Sequence, residues 1–329
     1  MLKKKSESQS SVNRSSAANH SWRRRVSRSY FEKGDMYLDM YDADGRNPVI
    51  FESAIKNYKK DLQFDPNNTL YHYRLGFAYH MMRRLTEASS EYKVVLKLDP
   101  PRLASESDLE LANKYAPRLF VNPEEFFSLK DVVAVIHPEK PVIAYNLFWE
   151  DDIDYPGDND PSDHEIVWIE FDQNDGKVTG VYTYFHKAIL STKKAVKDAN
   201  LHHQRARISV QWGGHGSLPL EWERLKPEAI YEKIGQKLKV KDMPERYQKL
   251  SKSIRNPDHP LAKNWPKRFE GSYKDFINFS QYIGSGRLLR KKRMVIISSW
   301  PNAVINQYFL AYNYFPKRQW PEYLIPHSS

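Results

Sequence analysis

HEIVWIEFDQNDGKVTGVYTYFHKAIL, residues His164–Leu190, is the stretch whose reading decides the fold of most of the chain. Two runs rich in β-branched and aromatic residues flank QNDGK, and an Asp-Gly pair between such runs is the strongest short-range signal for a hairpin. Strand side chains alternate between faces, so Asp163, Glu165, Val167, Ile169 and Phe171 share one face, with two carboxylates at the mouth of an apolar stripe. A two-residue turn at Asp175-Gly176 sets His186 across from Glu165. A turn centred one residue earlier sets it across from Asp163, and both place the imidazole on the carboxylate face, whereas a three-residue loop does not.

Burying two like charges side by side is expensive without a cation, a proton or basic partners. The run just upstream, WEDDIDYPGDNDPSD, is crowded with acids, and nine fall between Trp149 and Phe171. Asp152, Asp160, Asp163 and Glu165 are therefore the candidate metal ligands. His186 and His215 are candidate further ligands or supports, His215 lying between glycines in QWGGHGSLP. Oxygen donors of this kind suit Ca2+, Mg2+ or Mn2+ better than Zn2+. Glu150, Asp151, Asp154 and Asp158 read as solvated loop residues.

Outward from the hairpin, DVVAVIHP, KPVIAYNLFWE and RISVQWGG also read as strands. Closely spaced strands without helices between them predict an antiparallel β-sandwich over residues 116–329. A polar, lysine-rich helical insertion is expected at about 220–255, and MVIISSWPNAVINQYFLAYNYFP is expected to return a strand and a helix to the core.

Upstream the period changes. TLYHYRLGFAYHMMRRLTEASSEYKVVLKLDP, Thr69–Pro100, has helical periodicity broken once in the middle. Leu75, Gly76, Tyr79, Ala88, Tyr92 and Pro100 fall at the spacing of the tetratricopeptide repeat, which the segment resembles. Small Gly76 and Ala88 allow two antiparallel helices to approach, and Tyr79 and Tyr92 fill the space between pairs. Ala54, Tyr58 and Pro66 repeat the second half of the unit, and Gly34 and Tyr37 its first half if DADGRNPV is an insertion. Two repeats are thus expected within residues 29–115, closed by a capped helix, SESDLELANKYA. The whole reads as an α+β fold: N-terminal helical hairpins, then a sandwich with C-terminal helical additions.

The chain has 329 residues, a net charge of +10 and no cysteine. Disulfides, cysteine-ligated zinc, iron–sulfur clusters and thiol catalysis are thereby excluded. The charge is uneven: residues 1–34 carry nine Lys or Arg against two Glu, and RLLRKKR, Arg287–Arg293, adds five more cations. Residues 1–28 read as a basic, Ser-rich, disordered tail. No RNA-binding motif, helix-turn-helix or zinc finger accompanies these clusters, so nucleic acid is not an expected partner. No apolar run suits a secretory signal or a membrane span, and the expected compartment is the cytoplasm, with secretion left open.

KYAPRLFVNPEEFF, YNLFWEDD, PSDHEIVW, VYTYFHKA and GGHGSLP together resemble the necrosis-inducing-protein-like and vacuolar-protein-sorting-associated superfamily over residues 115–219. The resemblance implies a cation at the mouth of a sandwich, held at Asp152, Asp160, Asp163 and Glu165. An Asp stands where the relatives have a His, and His164 where they have a Trp. A peripheral membrane or glycolipid contact is implied in the same way.

The expectation is a non-catalytic binding protein: a repeat module that engages a protein partner or docks within the chain, and a cation-bearing sandwich. The alternatives are a metal-dependent hydrolase using the same cluster, and anionic lipid or nucleic-acid binding through Lys3–Lys5, Arg23–Arg25 and Arg290–Arg293. HExxH, GxSxG and P-loop signatures are absent.

Overall fold

The computed structural model describes residues 30, 32–36, 48–125, 127–150, 163–185, 188–225, 278–292, 294–309, 316–317 and 320–324. It divides into two compact units between Leu98 and Asp99. The expected tail at residues 1–28, Tyr37, and the expected helical insertion beyond residue 225 lie outside the described residues.

The first unit is helical. Residues 32–36 precede α1 (Pro48–Phe64), α2 (Thr69–Met81) and α3 (Leu85–Leu98). Asn68 caps α2, its side chain accepting from the Tyr71 amide, which satisfies one of the donors a helix start leaves open. A Cβ placed on Gly76 would stand 3.0 Å from the Tyr92 ring, and one on Gly34 would stand 2.6 Å from the Tyr58 ring. The same glycine-on-tyrosine contact therefore recurs, with Ala54 and Ala88 fully buried in corresponding places. The pair α2–α3 forms one repeat, and the Gly34–Tyr58 contact sets residues 32–36 against α1 in the same way, while residues 37–47 between them lie outside the described residues.

The second unit begins with β1 (Arg102–Leu103) and α4 (Glu106–Tyr115), whose start is closed by a reciprocal Ser105–Asp108 capping box. The helix expected to close the repeats belongs here instead: Ala112 and Tyr115 enter the sandwich core, and Tyr145 Oη donates to the Ala112 carbonyl at 2.7 Å. Next come β2 (Arg118–Val121), β3 (Leu129–Ile136), β4 (Val142–Trp149), β5 (Asp163–Phe171), β6 (Val178–Phe185) and β7 (Ala188–Ser191). Then follow α5 (Lys193–Leu201), β8 (Arg207–Val210), β9 (Ser217–Pro219), β10 (Gln281–Gly284), α6 (Ser285–Lys292), β11 (Val295–Ile297) and α7 (Pro301–Phe309).

The strands form a seven-stranded sheet, β1-β11-β3-β4-β5-β6-β7, and a four-stranded sheet, β10-β2-β8-β9. The α+β class is as expected, but the sheets are mixed. β11 joins β3 in parallel and β2 joins β8 in parallel, because each brings in a strand distant in sequence. Val167 and Ile169 of one sheet and Leu119, Ile208 and Val210 of the other share one core. The opposite face of the large sheet packs Trp168, Phe148 and Val133 against Ile305, Trp320 and Leu324, so the C-terminal block does return a strand and a helix. A strand buried on both faces reads as a near-continuous apolar run, which β4 does apart from Asn146.

The hairpin turns where expected, with Gly176 at φ +69° and Asp172 accepting from the Asn174 amide at 2.7 Å. Its register differs. Phe171 faces Val178, a bulge follows, and from there Glu170 faces Gly180 and Val167 faces Thr183. One extra residue reverses the face of everything beyond it. Val181, an odd-numbered residue, therefore lies in the shared core. The even-numbered placement that would carry His186 to the carboxylates is not made, and His186 itself lies outside the described residues.

Candidate functional site

Strand parity holds for β5 itself. Val167, Ile169 and Phe171 lie in the shared core, and Asp163 and Glu165 extend that face to its end, paired across to Trp149 and Leu147. The β5–β6 ladder stops at Val167, while the end of β6 pairs with β7, so residues 163–166 are laddered to β4 alone. The charged residues gather at this opening.

His215 is fully buried there and is the centre of the arrangement. Its Nδ1 lies 3.0 Å from Asp163 Oδ2, its Nε2 lies 3.5 Å from Glu125 Oε1, and its ring lies flat on Trp149. Phe127 meets it edge-on. The GGHG loop makes this approach with His215 at φ +49° and Gly213 at φ +68°. A left-handed backbone is uncommon for histidine, so the surrounding contacts must hold it. Glu125 is itself fixed by the amides of Gly213 (2.7 Å) and Phe127 (3.1 Å).

Lys317 supplies a second cation. Its Nζ stands 2.6 Å from Glu165 Oε1 and 3.9 Å from Asp163 Oδ1. Burial alone would discharge His215, but Glu125 and Asp163 outweigh it and raise the imidazole to about 10. Burial pushes the Glu165 carboxyl up to about 8, with Lys317 opposing the shift and Asp163 adding to it. Asp163 is held below the ordinary carboxylate range because Lys317 and His215 outweigh its burial. With Glu165 protonated, two carboxylates balance two cations. His164 points to the other face, stacked on Phe148 with Nε2 3.0 Å from Asn146 Oδ1, and burial and Lys317 lower it to about 3.

The expected metal ligands are thus only partly brought together. Asp163, Glu165 and His215 belong to one cluster, whereas Asp152, Asp160 and His186 lie outside the described residues. Among the described residues, no group of three or more His, Asp or Glu is arranged to hold a metal ion. Asp163 Oδ2 is taken by His215 and Oδ1 by the His164 amide, while Glu165 Oε2 has no hydrogen-bond partner. One open carboxylate oxygen beside an ammonium does not make a cation site, so the described residues do not fit the expected metal. Thr183 Oγ1, Gln211 Oε1 and Ser217 Oγ, on the segments that bring in Glu165 and His215, are also buried without a partner.

Glu125 and Lys317 escape a reading of the sequence. Glu125 is one acid of a turn, NPEEFF, and Lys317 comes from a region where no period marks an element. Their only signal is the acid pair itself, which demands cations without saying from where.

The family model that matches is described as a TPR repeat and covers residues 51–82. This spans most of α1 and all of α2. A protein O-mannosyl-transferase of Caenorhabditis elegans is 33% identical over 60 residues, 18% of this chain and 9% of that enzyme. The chain thus spans a small part of the curated relative that it matches. No solved structure matches. The comparisons do not support the expected necrosis-inducing-protein-like domain. Among the described residues, no helix is long and apolar enough to cross a membrane.

Proposed function

We propose that this chain is a non-catalytic interaction protein, whose repeat unit engages a protein partner and whose second unit is a rigid mixed sandwich. The carrying observation is the repeat match at residues 51–82, with Gly34–Tyr58 and Gly76–Tyr92 built alike. Stacked helical repeats bury only their mutual faces and leave others for partners. A cross-linking amino acid placed at exposed Lys56 or Lys93 tests this in cells. A discrete adduct from these positions and not from exposed Lys130 is expected; equal or absent adducts overturn the reading. The cytoplasmic placement expected from the sequence belongs to this reading, and fractionation checks it.

His215 supports the non-catalytic reading over a hydrolase. Its Nδ1 faces Asp163 and its Nε2 faces Glu125 in a fully buried position, so neither nitrogen is open to act as a base on a water.

A divalent cation is a second proposal, motivated by the unpartnered oxygens of Glu165 and Thr183. It requires Asp152 and Asp160 to complete the ligand set and Lys317 to leave Glu165. The same ligand set carries the resemblance to the necrosis-inducing-protein-like superfamily and its membrane or glycolipid contact. Thermal melting in Ca2+, Mg2+ or Mn2+ tests it: a rise lost in Glu165→Gln supports the cation, and unchanged melting removes it.

A further inference from the structure

The outer face of the four-stranded sheet gathers arginines and aromatic rings from three distant segments. Arg118 and Phe120 of β2 alternate with the buried Leu119 and Val121, so they face away from the core. Across the ladders, Arg118 is level with Arg207 of β8 and Gly284 of β10, and Phe120 is level with Tyr282. The Arg207 guanidinium lies 4.3 Å from the Phe120 ring centre, and the Phe120 and Tyr282 centroids are 5.6 Å apart. Tyr282 is 49% exposed. A Cβ added at Gly284 would stand 3.1 Å from Tyr282 Oη and 3.7 Å from Arg287 Cγ, so the absent side chain leaves room for both groups.

The charges on this face are not compensated within the described residues. Like charges level on neighbouring strands repel. Arg118 is neutralised by Asp198 at 2.7 Å, but Arg207 and Arg287 have no carboxylate partner among the described residues; Arg290, farther along α6, donates its Nε to Asn113 Oδ1. Arg207 Nε is buried without an acceptor, and Arg287 and Arg290 are exposed on α6, which Leu289 anchors in the core.

We propose that this face binds single-stranded nucleic acid, with phosphates on Arg207 and Arg287 and a base stacked on Tyr282. Guanidinium groups match phosphate oxygens in pairs, and an exposed ring beside them accepts any base face. An anionic lipid surface would use the arginines but not the ring, and an acidic peptide would not need a flat aromatic platform.

The test measures anisotropy of a labelled oligo-uridine RNA, about twelve nucleotides long, binding the full-length chain at about 50 and 300 mM salt. Arg207→Gln with Arg287→Gln is expected to weaken binding about tenfold or more and to flatten its salt dependence. Tyr282→Ala is expected to weaken it about fivefold or more with the salt slope kept, because stacking releases no counterions. All variants keep the basic N-terminus, so the differences report this face alone. If the Arg207 variant does not fold, the exposed pair Arg287→Gln and Tyr282→Ala carries the test. Unchanged RNA binding in these variants overturns the proposal. So does loss of binding to phosphatidylserine vesicles with RNA binding intact.

Discussion

The His215 imidazole lies flat on the Trp149 indole, ring centres 4.3 Å apart and planes within 5°, with a carboxylate beside each ring nitrogen. The proton on His215 is therefore part of the fold. Its folded value of about 10 exceeds the ordinary 6.5, so its contribution is complete below 6.5 and is lost as pH rises towards 10. Glu165 acts in the same direction over a lower window: protonated in the fold up to about 8 against an ordinary 4.5, it withdraws stability between those values. Asp163, held low, acts oppositely and withdraws stability only as pH falls below 3.8. Urea unfolding of the second unit is expected to show a loss of roughly 2–5 kcal/mol between pH 6 and 10. In His215→Asn much of that slope should disappear, and an unchanged slope would show that His215 is neutral.

Lys317 is the cation that touches Glu165 directly, its Nζ 2.6 Å from Oε1, with His215 acting on the same carboxyl from farther off. Replacing it with Met leaves Glu165 and Asp163 near each other with one counter-charge fewer. Breaking such a buried pair from one side is expected to cost about 2–3 kcal/mol. Measured above pH 8, where Glu165 loses its proton, adding Glu165→Gln should restore at least half of that loss, because the surviving carboxylate is then the source of the penalty. Chemical denaturation of the two single variants and the double variant checks this, and strictly additive losses would mean that the pair is not coupled.

How much of this was legible depended on the range of each interaction. Gly76, Ala88 and Tyr92 act within a few helical turns, so their spacing carried the repeat directly. The face shared by Asp163, Glu165 and Val167 followed from alternation alone. The bulge between Glu170 and Phe171 was not legible, since QNDGK signals a turn but not the extra residue beyond it, and one residue was enough to change the register on which the expected His186–carboxylate pairing depended. Glu125 and Lys317 reach the cluster from 38 and 152 positions away from Asp163 and Glu165 respectively, and no local period reports such pairings. The Arg207–Phe120–Tyr282 face was hidden for the same reason. Its members never stand together in the chain, so a search for interleaved basic and aromatic residues passes over them.

Tyr145 ties α4 to the large sheet. Its hydroxyl donates to the Ala112 carbonyl at 2.7 Å from a wholly buried position, and burial raises its pKa well above the ordinary 10. Tyr145→Phe keeps the ring and leaves that carbonyl without this donor. A loss of about 1–2 kcal/mol in the second unit is expected. The repeat unit should be untouched, which amide hydrogen exchange along α1–α3 would show.

Gly76 sets the helix approach in the second repeat. An alanine there would place its Cβ 3.0 Å from the Tyr92 ring and 3.1 Å from Glu91 Cβ, inside ordinary contact distance. Helix propensity alone favours alanine by about 1 kcal/mol, so the sign of the change depends on whether α3 can withdraw. Tyr92 is fully buried between Tyr73 and His80, with its hydroxyl 3.3 Å from His80 Nδ1, which leaves the ring little freedom to move. Gly76→Ala is therefore expected to destabilise the repeat unit by about 1–2 kcal/mol. Gly76→Ala combined with Tyr92→Leu should recover part of the loss, since a smaller side chain vacates the contact. Circular dichroism melts of the full-length chain measure both, and a Gly76→Ala chain more stable than the parent would show that the two helices can slide apart at no cost.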